Sequence, residues 1–244
     1  MKTVLYLLCV AVVLSGLLSS SALALTPLGP PKAGLKQKQH NLGFVFASSE
    51  MNLKVSGYGL SETLPDIESN AYLVKAGYGL SDGCELYTLL GLADFSAEDF
   101  DGDSQLAWGF GTKFTVAQKN SVTWGGLFQM CSLSAEGSVS GDVPGYGWQT
   151  IDLDVQLFDI QIAFGPTYTQ ESFSIYGGPF LHFIEGDMDV SLLGVTGTVD
   201  VEQESEFGGY IGAQFDLAES SSLFVEYQVT GDASAIAAGF VWRF

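Results

Sequence analysis

The chain has 244 residues, of which 47% are hydrophobic, 13% aromatic and only 15% charged; 28 acidic residues against nine basic ones give a formal charge of −19 at pH 7. Phosphate backbones would repel such a chain, which excludes nucleic acid as a partner. Beyond the N-terminus no segment is apolar over the ~18 residues that a spanning helix needs, so a membrane protein of this composition has to cross with strands closed into a barrel.

Lys2 precedes an apolar run from Val4 to Val13, and Ala22-Leu23-Ala24 has the small-x-small form of a cleavage site. Residues 1–24 therefore read as a signal peptide for export through the Sec route. Their removal takes away Lys2 and no acid, leaving eight basic residues against 28 acidic ones, a formal charge of −20. Residues 25–39 hold Pro27, Pro30 and Pro31 with Lys32, Lys36 and Lys38, lack alternation, and read as a flexible periplasmic lead-in.

From His40 onward, alternating segments of about ten residues recur between polar turns, the signature of a transmembrane barrel. Residues 40–49 direct Leu42, Phe44 and Phe46 to one side; 70–80 direct Tyr72, Val74, Ala76 and Tyr78; 84–95 direct Leu86, Thr88, Leu90 and Leu92. The next two carry Leu106, Trp108, Phe110, Thr112 and Phe114, then Val122, Trp124, Phe128 and Met130. Near 149–164, Ile151, Leu153, Val155 and Leu157 share a face, after which the apolar parity passes to Phe158, Ile160, Ile162 and Phe164. A β-bulge or an early strand end would account for that slip. Residues 171–185 are apolar on both faces and contain Pro179, which would delete a ladder hydrogen bond. Three more strands follow, with Phe207, Ile211, Ala213, Phe215 and Leu217, then Leu223, Val225, Tyr227 and Val229, then Ile236, Ala238, Phe240, Trp242 and Phe244. The expectation is an all-β, antiparallel up-and-down barrel over 40–244 with ten strands, eight or twelve being the alternatives. Short turns such as Ser81-Asp82-Gly83 and Gln118-Lys119-Asn120 fall at the periplasmic end and long acidic loops, near 50–68, 96–103, 133–147 and 186–204, outside.

Charge placement sharpens the assignment, because a Lys or Arg on the lipid face at the midplane costs about 2–4 kcal/mol. Lys75, Lys113, Asp152, Asp154, Asp216, Glu226 and Arg243 all take the inward parity, and the set is expected to line the lumen, Lys75, Lys113 and Arg243 facing Asp152, Asp154 and Glu226. Either these groups pair and plug the barrel, or they line a narrow wet pore.

A chain that ends on alternating aromatic residues, and that carries strand-to-turn sequences such as Gly77-Tyr78-Gly79-Leu80-Ser81 before Asp82-Gly83, resembles the small bacterial outer-membrane β-barrels of the opacity and porin-like kind. The resemblance spans about 40–244. It implies an outer-membrane location in a Gram-negative-type bacterium, contact with lipopolysaccharide, and a barrel-assembly machinery that reads Phe240, Trp242 and Phe244 as an insertion signal.

Motifs for chemistry are sparse. Glu98-Asp99-Phe100-Asp101-Gly102-Asp103 spaces carboxylates suitably for a hard cation but lacks EF-hand order, and Asp187, Asp189, Asp200, Glu202 and Glu204 read as surface charge. Divalent cations could bridge such acidic loops to lipopolysaccharide, while no dedicated metal or cofactor site is expected. With His40 and His182 as the sole histidines, no multi-imidazole zinc site can form. No nucleophile stands in a recognisable spacing to a base and an acid, so His182 reads as a packed lumen residue and no catalytic residue is expected. Cys84 and Cys131 fall at opposite ends of the barrel, too far apart to be bridged. The leading expectation is a non-enzymatic barrel with a structural or surface-interaction role through its acidic loops. A narrow diffusion channel is the alternative and a lipid-modifying enzyme the third.

Overall fold

The lipid-facing alternation resolves into twelve strands in one antiparallel sheet, seen in a computed structural model that describes residues 25–57, 59–97, 100–143 and 146–244. The signal peptide assigned to 1–24 lies outside the described residues. The strands are β1 (His40–Gly57), β2 (Leu60–Ser81), β3 (Cys84–Ala97), β4 (Phe100–Asp101), β5 (Asp103–Lys119), β6 (Val122–Val143), β7 (Gly147–Gln170), β8 (Phe173–Leu192), β9 (Val195–Glu202), β10 (Phe207–Ala218), β11 (Ser221–Thr230) and β12 (Ala233–Arg243). Ten of them close a ring. β8 pairs with β10 and β12 returns to β1 from Asn41↔Arg243 to Met51↔Ala233, while β4 and β9 stand outside the ring as short additions. The seam is tied at its end by His40 N donating to Phe244 O and Phe244 N donating to His40 O, both at 3.0 Å.

Closure is what the bilayer requires, since an unpaired strand edge in hydrocarbon would leave a row of amides without partners. The outward faces predicted from the alternation are found. Phe44, Leu90, Leu106, Ile211 and Ile236 are 52, 57, 57, 59 and 65% exposed on the outside of the wall, where acyl chains rather than water meet them. Trp124, Tyr78, Tyr168 and Trp242 stand at the short-turn end as an aromatic girdle. Pro179 is accommodated because β8 lapses from β7 opposite it: pairing stops at Ala163↔Phe180 and resumes at Thr167↔Tyr176, leaving Phe164–Pro166 paired with β6 alone while Pro179 still lies across from Gly209 of β10.

Three expectations are corrected. The β6–β7 hairpin has no bulge where the apolar parity changes, and the register runs unbroken from Val122↔Tyr168 to Val143↔Gly147. Odd-numbered residues of β7 point inward throughout; it is the surroundings that invert. Below Phe158 the wall faces lipid and its interior is polar. Above it the wall faces water, and Ile151, Leu153 and Leu157 pack inward against Met51, Leu133, Ile184, Met188 and Val199 in an ordinary apolar core. Asp152 and Asp154 therefore point outward to solvent, not into the lumen, because the inward positions beside them are filled by hydrocarbon.

The long acidic loops are, for the same reason, mostly strand. At about 3.3 Å per residue, β6 and β7, of 22 and 24 residues, reach well beyond the ~10 residues that cross a bilayer. β10, β11 and β12 stop near the membrane, and above them β9 replaces them in the wall, pairing with β8 on one side and with Lys54–Ser56 of β1 on the other. The extension is thus a second, water-exposed barrel stacked on the first.

The third correction concerns residues 25–39, which enter the lumen instead of trailing free. Leu25, Thr26 and Leu28 are fully buried. The wall carries glycine where this segment presses closest: a Cβ at Gly79 would collide with the Lys36 carbonyl oxygen, and one at Gly125 with that of Pro31. The segment has no helix or strand of its own, so its main-chain groups must find partners in the wall.

The inverted parity predicts opposite tolerance at adjacent positions. Leu153→Asp puts an uncompensated charge into the outer core and should destabilise it by ~3–5 kcal/mol, whereas Asp154→Leu should change stability by under ~1 kcal/mol. Urea titration in detergent, with protease sensitivity of the β6–β7 hairpin as a local readout, checks this; equal effects would mean the faces are misassigned.

Candidate functional site

Inside the membrane-spanning half, inward positions that would hold apolar residues in a soluble barrel carry Tyr87, Gln129, Asp159, Gln161, His182, Glu226 and Gln228, all buried. They converge on the segment 25–35. The Glu226 carboxylate accepts from the main-chain N–H groups of Leu28 and Gly29, each at 2.8 Å, and from Gln228 Nε2 at 2.8 Å. Gln228 Nε2 also donates to the Thr26 carbonyl at 3.0 Å. The Thr26 hydroxyl donates to Asp159 Oδ2 at 2.7 Å and accepts from Gln129 Nε2 at 2.8 Å; Gln129 in turn accepts from the Tyr87 hydroxyl at 2.9 Å and donates to Gln161 Oε1 at 3.1 Å.

Lower in the lumen the attachment continues through Lys113 Nζ to the Pro30 carbonyl at 2.9 Å and Gly34 N to Glu85 Oε2 at 2.8 Å. Lys32 Nζ donates to Thr169 Oγ1 at 3.2 Å, and Lys38 N donates to Gly79 O at 2.8 Å at the mouth. A chain with two prolines in succession and a glycine at positive φ, Gly29 at 66°, cannot pair as a strand, and side chains of the wall take over that role. Charge-assisted bonds to main-chain N–H groups are about twice as strong as neutral ones, so Glu226 is the principal clasp.

Of the residues assigned to the lumen, Lys75, Lys113 and Glu226 lie within it, and Arg243 lies at its periplasmic mouth with its Nη2 3.1 Å from Asp216 Oδ1. They do not form one ion-paired plug. Glu226 and Lys113 each bind the main chain of 25–39, and Lys75 lies 3.7 Å above the Tyr87 ring. Asp152 and Asp154 are remote, on the outer surface. Phe240, Trp242 and Phe244 all face lipid.

His182 Nε2 stands 2.9 Å from Asp159 Oδ1, and both side chains are sealed from solvent. The same carboxylate holds the Thr26 hydroxyl, so the pair anchors the plug. Cys131 faces the lumen beside Asp159 in the β6–β7 register, Cys84 lies near the periplasmic turn, and both are free thiols. Glu98 and Asp99 of the proposed cation loop lie outside the described residues, and among those described no cluster of three potential metal ligands occurs.

Sequence reasoning passed over Glu85, Gln129, Asp159, Gln161 and Gln228 as site residues. The signal that could have found them is their polar character on inward parity in otherwise apolar strands. Nothing in the sequence pointed to Thr26, because its partners are more than a hundred positions away.

On the outer surface, Asp103, Glu136, Asp154 and Asp189 lie directly across from one another on β5, β6, β7 and β8. Neighbouring strands are about 4.8 Å apart, so the row is mutually repulsive. Thr198 of β9 continues it and donates to Asp189 Oδ1 at 2.6 Å. Nearer β1, Lys54 pairs with Glu202, whose carboxylate raises the Lys54 pKa above its ordinary value.

Closed ring, lipid-facing belt, girdle and short turns at one end define an outer-membrane β-barrel. Comparison with solved structures agrees on the fold: the outer membrane protease OmpT from Escherichia coli superposes with a TM-score of 0.53 at 9% identity, covering 90% of this chain and 99% of that one. The translocator domain of the autotransporter NalP from Neisseria meningitidis gives 0.47 at 10% identity over 84% and 88%. The COG4313 outer membrane channel from Pseudomonas putida F1 gives 0.45 at 11% identity over 90% and 100%. The sequence matches no protein-family model and no curated protein. The chain has the fold of a small outer-membrane β-barrel, with ten strands in the ring.

Two substitutions should free the plug by different routes. Glu226→Ala leaves two buried N–H groups without partners, a loss of about 2–4 kcal/mol, and Gly125→Val obstructs the seat of Pro31 sterically. In both, protease added to the periplasmic side of vesicles should cleave within 25–39 while the barrel core stays intact; protection equal to the unsubstituted protein would contradict the clasp.

Proposed function

We propose that the protein is a non-conducting, non-enzymatic integral barrel that presents an acidic sheet surface outside the cell. The observation that carries the reading is double closure of the lumen. Residues 25–35 fill its periplasmic half, and Leu133, Ile151, Leu157, Met188 and Leu192 fill the extension above, so buried side chains occupy both halves of the lumen among the described residues. The enzyme reading has less support, since His182 and Asp159 lie behind the plug. OmpT is by its name a protease, but a likeness at this identity speaks for the fold alone.

The outward row Asp103, Glu136, Asp154 and Asp189 favours partners that bring positive charge. Divalent cations bridging this surface to lipopolysaccharide phosphates are the partner we favour, as a hard cation between carboxylates and phosphate relieves the repulsion of both. Export through the Sec route and insertion by a barrel-assembly machinery that reads Phe240, Trp242 and Phe244 belong to the same proposal.

Purified protein in planar bilayers should give no discrete openings, and deleting 25–39 should not create them, because the outer core still closes the lumen. Reproducible single-channel steps from the intact chain would instead establish the narrow-channel alternative. For the surface, lipopolysaccharide retention in the presence of calcium should fall by about tenfold in the combined Glu136→Gln, Asp154→Asn, Asp189→Asn variant, and chelation of calcium should reproduce that loss.

A further inference from the structure

Between the plug and the wall at the periplasmic end lies a cavity of about 200 Å³ whose walls include Lys32, Lys75, Lys113 and Arg243 with Glu85 and Asp216. A chain with nine basic residues among 28 acidic ones thus places four of its nine cations around one small space. Asp216 is taken by Arg243, and Glu85 accepts the Gly34 N–H. Among the described residues the ion pairs are Lys54 with Glu202, His182 with Asp159 and Arg243 with Asp216, so Lys32, Lys75 and Lys113 face the cavity without a carboxylate in direct contact.

Lys75 is the least satisfied of them. Its ammonium lies over the Tyr87 ring beside that of Lys113, which donates to the Pro30 carbonyl, while the Glu85 and Glu226 carboxylates act on both from beyond ion-pair distance. Adjoining ammonium groups inside a membrane-embedded wall repel, and the field of surrounding low dielectric sharpens that cost. A single anion between them would satisfy both and accept their free donors.

We infer that this cavity is a binding site for a small soluble anion carrying a phosphate or carboxylate group, held by Lys75 and Lys113 from the wall and Lys32 from the plug. Its volume corresponds to roughly six or seven waters at about 30 Å³ each, which suits a free phosphate or a short carboxylic acid. The ring of strands bars lateral entry, so a lipid headgroup still attached to its acyl chains cannot reach it, and the ligand enters from the periplasm. Because the anion would touch both plug and wall, its binding also holds 25–39 in place, a linkage that stabilises the folded state in proportion to occupancy.

Equilibrium dialysis of the full chain in a phosphate-free, non-ionic detergent against labelled inorganic phosphate tests the site, with acetate as competitor and chloride at matched ionic strength as control. Saturable binding of a single phosphate, displaced by acetate and insensitive to chloride, is expected. Lys75→Met should weaken it by about tenfold or more, while Lys119→Met, at the exposed end of β5, should leave it unchanged. Lys113→Met removes a bond to the plug and can disturb folding, so Lys75→Met, which bonds no main-chain group, is the deciding variant. Absence of saturable phosphate binding, or undiminished binding by Lys75→Met, overturns the inference, and neither result depends on whether the barrel conducts.

Discussion

The constraint on which the structure depends is that hydrocarbon offers no hydrogen bonds, so every main-chain amide in the membrane must be paired within the wall. That requirement forces the ring of ten strands to close between β1 and β12, and closure in turn fixes which residues face outward, since side chains alternate with period two. Once closed, a ring of this size encloses a space that side chains alone nearly fill. The inward polar residues then need partners, and the chain supplies them from its own N-terminal segment.

The same strands continue into water and there obey the opposite rule. In the membrane the apolar side of β7 is outside, at Phe158, Ile162 and Phe164; above it the apolar side is inside, at Ile151, Leu153 and Leu157. No change of register accompanies the switch. A continuous β-ladder carries two cores of opposite sense end to end, and the boundary between them marks the membrane surface. β9 is needed because β10, β11 and β12 end near that boundary, and the outer core would otherwise stand open on one side.

Polar satisfaction explains the plug in the same terms. Residues 25–35 carry prolines and a left-handed glycine that prevent regular structure, so their N–H and carbonyl groups would be orphaned in a dry lumen. Glu226 and Gln228 of β11 and Lys113 of β5 supply bonds to those groups, and Gln129 of β6 holds the Thr26 hydroxyl. Each polar wall residue and each irregular plug residue would be costly alone, and the bonds between them offset much of that cost. The lower cavity is where this matching is incomplete, with cations in excess of their local partners.

The sequence by itself determined the class of fold and the outward face of nearly every spanning strand, because a two-residue period and the exclusion of charge from lipid are local properties that can be read along the chain; the strand number, which the alternation left at ten with eight or twelve as alternatives, was decided by the pairing. It also placed Lys75, Lys113 and Glu226 on the inward side. What tertiary structure alone decided was the environment beyond each face: whether outward means acyl chain or water, which inverted the assignment of Asp152 and Asp154, and whether a segment rich in proline trails free or enters the lumen. Those outcomes depend on contacts such as Thr26 with Asp159 and Leu28 with Glu226, separated by 133 and 198 positions, and pairings at that range leave no periodic trace in the residues that make them.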